Sequence, residues 1–473
     1  MTLGVSWQFW NASKDAGPLP SQGRRRKTLM NNLGLLKAKV APVAMQSFQP
    51  DRLRPVQVAW LAAAIFAVSA GFGALMPVLP AWLTTLMPGA TAGDVARHVG
   101  FLSGAYAVGV LLGAPLWGVV GDHVGHGRIL ILGLIGYVVS SLLLLIPALT
   151  VVWGMYALRG ATGFFVAAVI PVVAALVAEH TPEAQRARRF AWLGAMSLLG
   201  FLFGPALSVL AEWIASWADE TANAAVASAQ GVVVLSAALG AMMILGVAAT
   251  LPASARISAS VQTDTATPDP QSRLPLWALS GAVAFVLAAF ELGIVLQGQE
   301  HSGVSSRQIA MMFAECSLVM LAVNAVLFWT GLLEKISART LMSVGLILAT
   351  VGLAVLALHR DDAWMYVGIG FTAAGTGLVL PVIAYLAAGA SQNTLGATMG
   401  GLAAAAGLGQ TLGSLVGGWL FGTVAQQSFA WLALPFAALL AMLVLRPGSW
   451  SGIPTQSTRR LTRVTERDHN HAQ

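Results

Sequence analysis

The string Gly118-Val-Val-Gly121-Asp122-His123-Val-Gly125-His126-Gly127-Arg128 separates two long apolar stretches, 99–121 and 129–149. Its glycines permit a tight reversal that side chains with a Cβ would resist. Each flanking stretch approaches or exceeds the roughly 20 residues that a bilayer-spanning helix needs. A polar reversal this short makes the two stretches antiparallel neighbours in a membrane. Asp122, near the inner end of the first stretch, is placed to accept hydrogen bonds from a neighbouring helix N-terminus and to pair with Arg128. Such a contact would latch one side shut in one conformation and break in the other. A solvated turn held only by its glycines is the plainer reading, and the turn alone does not choose between them.

Working outward from the turn, twelve such windows cover the chain: 57–82, 99–121, 129–149, 151–178, 190–214, 229–249, 276–298, 308–332, 340–358, 363–388, 395–422 and 427–445. The chain is 57% hydrophobic and 10% charged, against about 25% charged residues in soluble domains. The windows are apolar around their whole circumference, which excludes a soluble helical protein with polar outer faces. They are too long and too little alternating for a β-barrel. The expected fold class is an all-α membrane protein of twelve transmembrane helices.

Charge orients it. Of the 26 Lys and Arg, all but Arg97, Arg307, Arg360 and Arg159 fall on one side when both termini share that side. Short loops on this side carry Arg128, Arg186, Arg188, Arg189, Lys335 and Arg339, the bias that marks the cytoplasmic face. The net charge of +7 therefore reports topology and gives no reason to invoke nucleic acid. Residues 1–55 contain Arg24-Arg25-Arg26-Lys27 with no signal-peptide core after it, and read as a cytoplasmic extension. Leu29, Leu33, Leu36 and Val40 match one face of a surface helix, and Met45 is an alternative start of translation. Residues 447–473 read as a polar cytoplasmic tail. His469 and His471 there lack the third and fourth ligands a metal site uses, so no metal and no cofactor are expected. Cys316 is a lone packing residue within a span.

A repeat divides the spans into two sets of six. Pro171-Val-Val-Ala-Ala-Leu176 in span four matches Pro381-Val-Ile-Ala-Tyr-Leu386 in span ten, and Gly200-x-x-x-Gly204 in span five matches Gly409-x-x-x-Gly413 in span eleven. The expected halves are 56–249 and 276–446, joined by a Pro-, Ser- and Thr-rich cytoplasmic linker, 250–275. Repeats of this kind suit alternating access around a central site. Gly200, Gly204, Gly409, Gly413 and Gly417 are close-packing positions, and Pro205 should bend span five. The second half offers only a degenerate echo of the first turn, Gly331-Leu-Leu-Glu334-Lys335-Ile-Ser-Ala-Arg339.

Ionisable side chains inside spans are rare, and each is a functional-site hypothesis by default. Arg159, Glu291 and Glu315 lie about seven or eight residues from the outer ends of spans four, seven and eight, roughly 12 Å at 1.5 Å per residue. At similar depth they are candidates for one shared cavity, as proton-coupling or substrate groups. A structural ion pair and a snorkelling position at the lipid edge are the alternatives. Glu212 lies near a span end beside Asp219 and Glu220, where a wet mouth explains it. Tyr106, Asn324, Gln410 and Thr411 are the candidate lining, suited to a ligand of mixed polarity. No zinc-spaced ligand set, phosphate loop or paired nucleophile and base points to an enzyme.

The turn resembles the hallmark of the major facilitator superfamily: glycine, three residues, aspartate, a basic residue, any residue, glycine, then basic residues. Gly118, Asp122, Gly125 and Arg128 meet the pattern, while His123 and His126 stand at arginine positions and Gly127 at another basic one. Arg159 with Gly163 looks like the family's buried-arginine motif. Gly200 to Gly204-Pro205, and Gly73-Ala-Leu-Met-Pro77-Val-Leu-Pro80, look like drug and tetracycline exporters, although Ser208 and Val209 replace later glycines. The resemblance implies the major facilitator fold, a gating role for the turn, and proton-coupled export of a small amphipathic compound by a monomeric functional unit in a bacterial inner membrane. Uptake of an organic anion, siderophore or metal complex through Arg159 is the second reading, and a non-transporting membrane sensor the third.

Overall fold

A computed structural model describes residues 53–181, 183–218, 224–251, 274–300, 306–388 and 395–445. The expectations for the N-terminal extension, most of the linker, the tail with His469 and His471, and the side chain of Asp122 lie outside what is described. The described residues fold into α1 (Pro55–Leu86), α2 (Ala92–Val124), α3 (His126–Leu142), α4 in two pieces (Val152–Val166 and Ile170–Glu179), α5 (Glu183–Ala218) and α6 (Ala224–Thr250). They continue with α7 (Leu274–Glu300), α8 (Ser306–Thr330), α9 (Ala338–Leu358), α10 (Asp362–Ala388), α11 (Leu395–Val424) and α12 (Ser428–Leu445). The last apolar stretch, Gly401–Leu445, is continuous over 45 residues. At about 1.5 Å per residue it would be roughly twice the bilayer thickness. A 3-10 turn at Ala425–Gln427 divides it, so the 11 apolar stretches of the described residues are consistent with the twelve spans expected from the sequence.

Local chemistry sets several boundaries. Thr91 caps α2: its Oγ1 accepts from Asp94 N at 3.2 Å, and Asp94 Oδ2 accepts from Thr91 N at 3.2 Å, a reciprocal capping box. Pro55 opens α1 where its missing N–H costs nothing. Gln57 accepts from Arg54 N and donates to Thr250 O, both at 2.8 Å, tying the start of α1 to the end of α6. The sequence predicts span three to 149, but α3 stops at Leu142 and continues only as 3-10 turns flanking Ile146. Pro147 cannot donate to an α-helical carbonyl and would collide with the preceding turn. Span four, predicted as one run, breaks at residues 167–169 for the same reason, four residues ahead of the ring of Pro171.

Helix pairing repeats six spans on. In the first set α1 packs on α5 and α6, α2 on α4, and α3 on α4 and α6; in the second, α7 packs on α11 and α12, α8 on α10, and α9 on α10 and α12. The sets meet chiefly through α2 with α11 and α5 with α8, two contacts related by the same shift. The matched glycines make matched joints. Gly200 and Gly204 lie against the α1 backbone at Phe66, Ala70 and Gly73, while Gly409 and Gly413 lie against the α7 backbone at Gly281 and Phe285. A Cβ at any of the four would collide with that backbone.

Candidate functional site

A cavity of about 1180 Å³ lies between the two sets of helices. Ile170 of α4, Arg189, Trp192, Ser197 and Leu198 of α5, Asn324 and Trp329 of α8, and Leu380 and Pro381 of α10 line it. Arg189 and Trp192 stand near the start of α5 and Trp329 near the end of α8, which places the cavity on the side of the 118–128 turn. Its walls are mostly apolar with a few polar groups, the usual makeup of a small-molecule site.

The opposite side is closed. Near the start of α2, Gly93 and Gly100 abut Gly422 and Gly418 near the end of α11, backbone against backbone. Deeper, Leu415 packs over Gly104. Phe201 of α5 and Phe313 of α8 meet edge to face at 5.7 Å. The structure is thus a state open toward the basic turn and shut away from it.

Arg159 is enclosed elsewhere. It is 3% exposed and lies in a cavity of about 20 Å³ inside the first six helices, lined by Phe72, Tyr106, Tyr137, Ser141, Thr162 and Ser236 among others. Its guanidinium carbon lies 4.8 Å from the ring centre of Tyr106 and 5.9 Å from that of Phe72. Such cation–π contacts contribute about 0.5–2 kcal/mol, less than the several kcal/mol that burying an ion costs. Arg159 Nε and Nη2 are buried without a hydrogen-bond partner, and the neighbouring Tyr137 and Ser236 hydroxyls are buried without a hydrogen bond of good geometry.

The glutamates lie outside that pocket. Glu315 faces α10, where a Cβ on Gly370 would come within 3.4 Å of its Oε1, and its Oε2 is buried without a partner. Among the described residues no ion pair joins Arg159 to either carboxylate; the one pair found is Arg97–Asp94, at 2.9 Å on the surface. Equal depth in the sequence therefore does not bring Arg159 together with the carboxylates: neither Glu291 nor Glu315 lines its pocket.

The other predicted residues divide. Tyr106 lines the Arg159 pocket and Asn324 the large cavity, though the Asn324 amide already donates to Met320 O at 2.8 Å. Thr411 is buried with its hydroxyl donating to Gly407 O at 2.8 Å, and Gln410 is half-buried; neither lines the two cavities. In the turn, Gly125 has φ 103° and donates its N–H to Gly121 O at 2.9 Å. Arg128 is exposed, and a Cβ on Gly118 would meet open space. Gly331 in the second-half echo also has positive φ, 62°. Sequence reading missed Trp192, Trp329 and Ser197 as cavity residues, and Tyr137 and Ser236 as neighbours of Arg159. The available signal was a hydroxyl inside an apolar span, which does not say which helix it faces. It also missed the α2 glycines, which match no repeat.

The family model described as Major Facilitator Superfamily matches residues 61–327 and 277–466. The chain is 27% identical over 400 residues to a tetracycline resistance protein, class D, of Salmonella ordonez, covering 79% of this chain and 92% of that protein. It is 35% identical over 141 residues to the class B protein of Escherichia coli, a match spanning 28% of this chain and 32% of that relative. The solved human organic anion transporter MFSD10 (TETRAN) superposes with a TM-score of 0.61 at 19% identity, over 82% of this chain and 100% of that one, a likeness of fold alone.

Proposed function

The chain belongs to the major facilitator superfamily, and from that premise we propose that it exports a small amphipathic organic compound in exchange for protons by alternating access between two six-helix halves. The observation that carries this is the cavity of about 1180 Å³ between the halves, open toward the basic turn while glycine contacts seal the other side. It exceeds the roughly 300–1,000 Å³ typical of drug-sized sites. With the basic side taken as cytoplasmic, this is the loading state of an exporter in a bacterial inner membrane. Similarity to tetracycline resistance proteins over most of the chain supports the outward direction and the substrate class. The reading keeps both termini in the cytoplasm and the monomer as the functional unit.

Coupling is assigned to Glu291 and Glu315. Carboxylates surrounded by apolar side chains are costly to ionise, so their proton occupancy responds to water access. Protonation from outside releases substrate, and proton loss to the cytoplasm restores the loading state. The Arg159 pocket, at about 20 Å³, has room for about one water and none for an organic anion, which disfavours uptake through that residue in this state.

The test uses everted vesicles, an imposed pH gradient and tetracycline as probe. Wild type should accumulate the drug. Glu315→Gln or Glu291→Gln should lose gradient-driven accumulation while retaining drug-for-drug exchange. Gradient-driven flux unchanged in both variants would remove the carboxylates from the mechanism, and accumulation only with the reverse gradient would reverse the direction.

A further inference from the structure

Every unpartnered polar group in the Arg159 pocket is able to donate a hydrogen bond. Arg159 presents Nε–H and Nη2–H, buried and without partners, and the Tyr137 and Ser236 hydroxyls, which neighbour one another, are buried without a hydrogen bond of good geometry. Ser141 also lines the cavity, while the Thr162 hydroxyl is already committed to Leu158 O at 2.7 Å. The pocket holds a full positive charge, and among the described residues no carboxylate forms an ion pair with Arg159. The ring faces of Tyr106 and Phe72 offset only a fraction of that charge.

We propose that this pocket binds one monatomic anion, chloride in the cell, as the counter-ion of Arg159. Water would accept from two donors at most through its oxygen and would leave the charge uncompensated, whereas a halide accepts from several donors at once and neutralises it. Size selects within the anions. A cavity of about 20 Å³, little more than one water-sized sphere, favours a single-atom ion over larger anions. The occupant joins α3, α4 and α6 through Tyr137, Arg159 and Ser236, so it belongs to the architecture of the first half. It does not depend on which compound is carried or in which direction.

Equilibrium binding of radiolabelled chloride to the purified full chain in detergent tests this. Saturable binding of one ion per chain is expected, with bromide competing and gluconate, at equal ionic strength, failing to compete. Tyr137→Phe and Ser236→Ala each remove one donor to a charged acceptor at nearly constant volume and should weaken binding about tenfold. Arg159→Gln should abolish it. In parallel, thermal unfolding in chloride should lie above that in gluconate for wild type, with the gap reduced in the Phe and Ala variants. Absence of saturable binding in wild type would leave the pocket to water and overturn the proposal, as would unchanged affinity in both conservative variants. Because no gradient or drug enters the measurement, its failure is separable from failure of the export reading.

Discussion

Gly125 is the residue on which the α2–α3 reversal depends. At φ 103° and ψ 130° it occupies backbone space that side chains rarely enter, while its carbonyl accepts from Arg128 N and Ile129 N at 3.2 and 3.3 Å. Gly125→Ala is expected to destabilise the fold by about 1–3 kcal/mol, the usual cost of a forced backbone conformation. Unfolding titrations should show it, and Gly118→Ala, with open space around its Cβ, should be nearly neutral. Equal effects of the two would contradict a backbone origin. Spacing alone made Gly125 legible, since a polar string between two spans leaves few places to turn. Ser208 shows the opposite case. It stands where the exporter pattern has glycine, and its hydroxyl donates to Ala74 O at 2.5 Å across the α1–α5 joint. A side chain that replaces a close contact with a hydrogen bond is invisible to a motif.

Among the elements, α11 carries two glycine faces. Gly409, Gly413 and Gly417 hold it to α7 within its own half, and Gly418 and Gly422 hold it to α2 of the other half. The first face was readable because its spacing is regular and matches α5. The second depends on which helix lies opposite, and no pattern within one span encodes that. The same limit applies to proline: Pro171 breaks α4, yet Pro381 in the matching string leaves α10 continuous. The joint within a half should tolerate no motion, whereas the joint between halves must part for access to alternate. Gly100→Leu places a side chain against the backbone of Gly418 and Ser414 and should wedge the second joint open. A cysteine replacing Leu415, which packs over Gly104, should then react faster with an impermeant maleimide added from the side of the 87–91 loop. Cys316 is buried and gives little background. Equal labelling with and without the wedge would show that the glycine contact is not the gate.

For the whole molecule, the repeated pairing ties the two sides together. Each half is internally bonded by matched helix contacts, and the halves touch through two related pairs, α2 with α11 and α5 with α8. Rigid halves that meet along such a seam exchange openings: parting one side brings the other together. Equal span depth suggested that Arg159, Glu291 and Glu315 share a cavity, but depth gives only the coordinate along the membrane normal. The direction each side chain faces is fixed by neighbours many residues away. Rocking predicts a coupling that depth cannot. Spin labels replacing Trp192 on α5 and Tyr385 on α10, both exposed and on the cavity side, report the width of the opening. In the Gly100→Leu background their distance should shorten relative to wild type, because opening the glycine seam closes the basic side. An unchanged distance alongside faster labelling at position 415 would mean that the seam opens by local bending of α2 or α11. The halves would then not move as units, and the alternating-access reading would lose its mechanical basis.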